Sequence, residues 1–138
     1  MRLKQNRSGF TLLEIIIVII IVGVLASLAL PRFFRTVEYS RGTEALTNIN
    51  AIRQSMERCY LQKGTYVGCD VVGNLDVEDP TTSPNAHFTY TIPAAAATTF
   101  TITATRNTRD GGNGGTITIE QTATSILRSG TGPFVGVQ

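Results

Sequence analysis

The sequence predicts an α+β protein, in which one long N-terminal helix packs on a small antiparallel sheet. Three observations carry this. Phe10–Leu30 is almost wholly apolar, apart from a carboxylate at Glu14. Apolar residues then recur at three- and four-residue spacing as far as Cys59. From His87 onward, three segments alternate apolar and polar residues at period two.

The totals set the frame. The chain has 138 residues, which suits one domain plus an appendage. Hydrophobic residues make up 42%, but Phe10–Leu30 holds a large share of the aliphatic ones, so the core left for a folded head is small. The net charge of +2 is uneven, because Arg2, Lys4 and Arg7 lie in the first nine residues. Without those nine, nine basic residues face ten acidic ones. No basic stripe points to nucleic acid as a partner.

Taken in order, the first element is the apolar run. Its 21 residues rise about 31 Å as a helix, enough to cross a bilayer once. The basic stretch before it fits a cytoplasmic start, although Arg32 and Arg35 follow the run closely. A secretory signal peptide with an exit at "LASLA" fits less well, since the run is too long and contains an acid. A plain membrane anchor explains the length but leaves Glu14 unexplained. Near the centre of a membrane helix a carboxylate costs roughly 2.5–3.5 kcal/mol, and less near the interface. Either Glu14 reaches for headgroups, or it pairs with a cation inside an assembly.

The residues "SGFTLLE" resemble the processing site of type IV prepilins and the related pseudopilins. The resemblance spans about Arg7–Tyr60, and it includes Thr11, Leu12, Leu13 and the later Pro31. It implies a pilin-like fold and a leader, 1–9, that a prepilin peptidase removes after Gly9. The same enzyme then N-methylates the new terminus, Phe10. Glu14 is implied to face the Phe10 amine of a neighbouring subunit and to set the register of assembly. The implied partners are identical or homologous pilin subunits, the peptidase, the inner-membrane assembly machinery and, before assembly, the membrane. The implied location is the bacterial inner membrane for the precursor, then an extracellular pilus or a periplasmic pseudopilus. Two rival readings stay open: a pseudopilin of a type II secretion system, and a membrane-anchored or secreted binding domain.

The helical pattern continues past Pro31. Ala45, Ile49, Ile52, Met56 and Cys59 form one stripe, which Leu46 and Tyr60 widen. This predicts one helix of about 50 residues from Phe10 to Leu61, ~78 Å long. It comprises a transmembrane or filament-core part, 10–30, and an amphipathic continuation, 31–61. Gly23, Ala26, Ser27 and Ala29 allow neighbouring helices to approach closely. Gly23 and Pro31 are weak points where the helix is expected to kink. The resemblance implies that the stretch between them unwinds in a filament.

The head, 62–138, opens on Gly64 as the helix stop. Cys59 and Cys69 are an even pair in an export-like chain and favour a disulfide, with two free buried thiols as the alternative. A bridge there contributes on the order of 2–3 kcal/mol. A connecting loop follows, with one short strand expected near Val71–Val72. "HFTYTI", "TFTITATR" and "TITIEQT" read as strands with one buried face. "PAAAATT" joins the first two, and "RDGGNGG" makes a hairpin turn before the third. The tail has no periodicity, and Phe134 and Val135 are expected to dock it on the head.

No catalytic constellation is present, so the chain is expected to be no enzyme and to need no cofactor. His87 is isolated on the polar face of its strand, where a solvated imidazole is expected. Asp70, Asp76, Glu78 and Asp79 fall in one loop, but their spacing matches no calcium motif, and a solvated acidic loop is the favoured reading over a metal site.

Overall fold

The structure is a computed structural model, and it describes residues 9–137. Residues 1–8, most of the expected leader, lie outside the described residues. The chain divides between Arg35 and Thr36 into two compact units.

One helix, α1 (Leu12–Lys63), begins in the first unit and ends in the second. In the first unit its aliphatic side chains, from Leu12 to Leu30, are exposed all round. The helix is unbroken through Gly23 and Pro31. Pro31 has no N–H to offer the carbonyl one turn earlier, and the Ser27 hydroxyl bonds the Val24 carbonyl at 2.7 Å in that turn.

In the second unit α1 becomes one-sided. Gly42, Ala45, Ile49, Ile52 and Met56 are buried at alternating spacings of three and four, the stripe of a helix facing a single partner. That partner is a four-stranded antiparallel meander in sequential order: β1 (Phe88–Ala95), β2 (Phe100–Arg106), β3 (Thr116–Gln121) and β4 (Ile126–Gly130). Phe88, Tyr90 and Ile92 of β1, Phe100, Ile102 and Ala104 of β2, and Ile117 and Ile119 of β3 fill the core by strict alternation. The α+β architecture predicted from the sequence is therefore the one observed, and three strands fall where period two placed them.

Four details differ. Val72–Asn74 is a 3₁₀ turn, not a strand; its N–H groups bond within the loop, Leu75 to Val72 at 3.1 Å. β1 runs past Pro93 to Ala95, with the register shifting between Thr91 and Ala94. A proline cannot donate to a ladder, and a bulge on an edge strand accommodates it. β4 was not predicted. Most of its side chains are exposed, so no alternation marks it, and main-chain pairing to β3 defines it instead. At the tail, Phe134 and Val137 dock, whereas Val135 is 75% exposed.

Phe134 shows why glycines surround it. A Cβ on Gly130 would lie 2.1 Å from the Phe134 carbonyl oxygen, and one on Gly42 3.0 Å from its ring. The slot exists because those two positions carry no side chain.

Candidate functional site

Gly9, Phe10 and Thr11 precede the helix in non-helical backbone, and Phe10 is 84% exposed. Thr11 and Glu14 then close a reciprocal cap. The Glu14 N–H donates to Thr11 Oγ1 at 3.2 Å, while the Thr11 N–H and hydroxyl donate to Glu14 Oε2 at 2.8 and 2.9 Å. This is a Thr-x-x-Glu capping box, which satisfies otherwise orphaned N–H groups at a helix start. The acid that looked anomalous in an apolar run therefore caps the helix, and the spacing of Thr11 and Glu14 was the signal of this in the sequence. Beyond it, a Cβ at Gly23 would meet nothing within 4 Å, so that face of the helix is open.

In the head, Cys59 and Cys69 are bonded, with 6.4 Å between their Cα atoms. The bridge ties the last turns of α1 to the loop that follows. Gly64 and Gly68 turn that loop with φ of 72° and 80°, a region side chains disfavour. Lys63 donates to the Gly68 carbonyl at 3.0 Å. Tyr66 packs between Tyr60, tilted against it, and Phe100, edge to face, with ring centroids 4.7 and 4.6 Å away. Burial, reinforced by its hydrogen bond to Glu57, pushes the Tyr66 phenol up to about 12.

The acidic loop disperses its carboxylates. Asp76 accepts hydrogen bonds from Arg58, whose Nη2 is 2.8 Å from Oδ1, and from the Ser55 hydroxyl. Arg58 first, and Ser55 second, hold the Asp76 carboxyl down to about 2. Asp79 caps the 3₁₀ turn Pro80–Thr82 by accepting from the Thr81 N–H at 2.9 Å. Among the described residues, no three His, Cys, Asp or Glu side chains gather as a metal site.

An ionic cluster around a buried arginine was not foreseen from the sequence. Arg106 is 3% exposed and lies on the core face of β2. Its Nε and Nη2 donate to Glu38 at 3.0 Å each, and its Nη1 to the carbonyls of His87 and Asn107. Nη2 also reaches Asp110 at 3.0 Å, and the guanidinium sits 5.7 Å from the centre of the Phe88 ring. Arg41 bonds both Glu38 and Asp110. The Arg106 hydrogen bond is the main cause holding the carboxyls of Glu38 and Asp110 below their usual range. His87 is accordingly not isolated, because its Nδ1 lies 3.1 Å from Asp110 Oδ2. The cluster joins α1, the start of β1 and the glycine-rich β2–β3 connection. The period that buries Phe100, Ile102 and Ala104 also turns Arg106 inward, and that was the available signal.

A bare apolar helix that continues into a head built on an antiparallel meander, behind a capped "GFTLLE" start, defines a pilin-like protein. The chain belongs to the family described as type IV minor pilin ComP, DNA uptake sequence receptor, whose profile matches residues 31–118. The profile of the prokaryotic N-terminal methylation motif matches residues 4–30. Among curated relatives, the type IV major pilin protein PilA of Myxococcus xanthus is 35% identical over 47% of this chain and 30% of its own length. The type II secretion system core protein G of Aeromonas hydrophila is 33% identical over 59% of this chain and 57% of its own. The fimbrial protein EcpC of Eikenella corrodens is 32% identical over 75% of this chain and 65% of its own. The chain thus spans less than two thirds of the length of each of these relatives. No solved structure matches it. Pilins and pseudopilins are structural subunits rather than enzymes.

Proposed function

We propose that this chain is a structural subunit of a type IV pilus. Its precursor spans the inner membrane once through 10–30, with the N-terminus cytoplasmic. A prepilin peptidase removes the leader 1–9 after Gly9 and methylates Phe10. The subunit then leaves the membrane for a helical filament, with 10–30 in the filament core, 31–61 as the supporting helix and 62–138 as the head. The observation that carries this reading is an apolar helix whose large side chains from Leu12 to Leu30 are all exposed, starting just after the Gly9–Phe10 bond and carrying the Glu14 carboxylate in its first turn. Such a surface needs lipid or neighbouring helices to cover it. Pairing Glu14 with the Phe10 amine of a neighbour, together with burial among its helices, favours assembly over the membrane state. Gly23 and Pro31 are the positions at which we place any unwinding of the helix on assembly.

The cap between Thr11 and Glu14 sharpens the test. Glutamine can close a capping box but carries no charge. If Glu14 acts by ion pairing, Glu14→Gln, which keeps the cap, inserts and is cut but forms no filaments, and Glu14→Ala, which also loses the cap, forms none either. Filaments from Glu14→Gln at the normal yield would reduce the residue to a helix cap. Mass spectrometry of the mature protein is expected to find a methylated Phe10 at the N-terminus; an intact Met1 or a start near Leu30 would sink the processing scheme.

The similarity to core protein G favours a second reading, a pseudopilin of a type II secretion system. Microscopy separates the two, because pili should vanish with the gene in the first case and secretion should fail in the second. The family description names a DNA uptake receptor, but from Thr36 onward this chain has seven basic residues against nine acidic ones. Duplex binding by counterion release needs several basic side chains on one surface. We therefore assign the head a structural role, and a mobility shift by purified head-bearing protein with short duplexes at physiological salt would overturn that assignment.

A further inference from the structure

Directly after the apolar run, α1 carries Arg32, Phe33, Phe34 and Arg35. Phe33 and Phe34 are 62% and 61% exposed, with their rings packed edge to face and 6.0 Å between centroids. At helical spacing, Arg32 and Arg35 share one face, while Phe33 and Phe34 share the other with Leu30. The 21 residues from Phe10 to Leu30 already match the hydrocarbon thickness, so the next turn falls at the level of the headgroups. Phenylalanine on one face of a helical turn and arginine on the opposite face form the side-chain set suited to the boundary between acyl chains and headgroups. The two arginines also oppose the orientation set by Arg2, Lys4 and Arg7, since positive charge at the exit end weakens that bias. Pairing with lipid phosphate offsets the loss, and the planar guanidinium fork suits phosphate oxygens.

We propose that Arg32–Arg35 is a lipid-binding belt. Phe33 and Phe34 enter the leaflet at the exit end of the span, and Arg32 and Arg35 hold the phosphates of anionic phospholipids. The belt fixes the depth of the subunit in the bilayer before extraction. It rests on the membrane-spanning reading of 10–30, and the test separates the two. The chain contains no tryptophan, so single-tryptophan variants report locally. Full-length Ile20→Trp and Phe34→Trp are placed in nanodiscs of phosphatidylcholine with or without phosphatidylglycerol. Ile20→Trp should be quenched by lipids brominated near the chain ends. Phe34→Trp should be quenched most by lipids brominated near the carbonyls, with an emission blue shift when phosphatidylglycerol is present. Replacing Arg32 and Arg35 with glutamine should abolish that shift and lower the enrichment of phosphatidylglycerol among co-purified lipids about fivefold per arginine. If Phe34→Trp is as open to aqueous acrylamide as the urea-unfolded chain while Ile20→Trp stays deep, the belt is wrong and the span stands. If acrylamide also reaches Ile20→Trp, the span itself is wrong. Shielding of Phe34→Trp in filaments but not in nanodiscs makes the aromatics a subunit contact, which likewise overturns the belt.

Discussion

The two units put one helix to opposite uses. From Leu12 to Leu30 nearly every large side chain is apolar and exposed, and none of the unit's described residues is buried. From Thr36 onward the same helix buries one stripe against a sheet and shares a closed core with it. Helical backbone is common to both, so backbone preference does not separate them. What differs is where the apolar surface goes: the head covers its own, and the first unit leaves its surface for lipid or for other chains.

Substitutions can break that contrast. The largest effect is expected at Arg106. Arg106→Met removes the buried centre of the cluster and leaves the His87 and Asn107 carbonyls and part of Glu38 without their donor, which costs about 3–5 kcal/mol in denaturant unfolding of the detergent-solubilised chain. A loss under about 1 kcal/mol would mean that water takes the place of Arg106 at those acceptors. Next is one substitution made in both units. Ile102→Ala empties a fully buried site and should destabilise the head by about 2–5 kcal/mol, whereas Ile20→Ala should leave head unfolding within about 0.5 kcal/mol. Equal effects would show that the two units do not unfold separately.

Smaller effects sharpen the picture within the head. Replacing Cys59 and Cys69 with serine should lower stability by about 2–3 kcal/mol and speed amide exchange in the last turns of α1. Acid should act later and more gently. The Asp76 carboxyl is held at about 2 against an ordinary 3.8, and Glu38 and Asp110 are also depressed. Depressed carboxyls stabilise the fold fully above their unfolded values. That part of the stability is lost as pH falls from about 4 toward 2. Denaturant midpoints should therefore be flat from neutrality down to about pH 5 and fall below it. Asp76→Asn should flatten part of the fall, and salt should shrink the Asp76 share, because that side chain is half exposed.

Most of the architecture was legible because burial and periodicity coincide. Ile49, Ile52 and Met56, and the alternating residues of β1, β2 and β3, are apolar because they face a core, and their spacing reports the element. β4 escaped because no core selects most of its side chains; hydrogen bonds to β3 define it, and those leave no trace in residue type. The 3₁₀ turn at Val72 was misjudged for a related reason, since two adjacent valines suggest a strand while local bonds close a turn. At the N-terminal site, Glu14 stood out as a carboxylate in an apolar run, while the resemblance to prepilins singled out Gly9 and Phe10. The Thr11 contact to Glu14 went unnoticed because the acid was weighed as a charge and not as a hydrogen-bond acceptor. Arg106 was passed over as well, although the alternation of Phe100, Ile102 and Ala104 extends to it and points inward.

The capping box also decides where regular structure begins. By holding the first helical turn at Thr11 and Glu14, it leaves Gly9 and Phe10 in open backbone. Proteolytic enzymes act on chain whose amide and carbonyl groups are not tied up in a helix. On the processing scheme proposed above, the bond to be cut is thus presented unwound, two residues ahead of a rigid rod. The carboxylate proposed to guide assembly then serves an earlier step as well, marking the end of the part of the chain that a peptidase can grip.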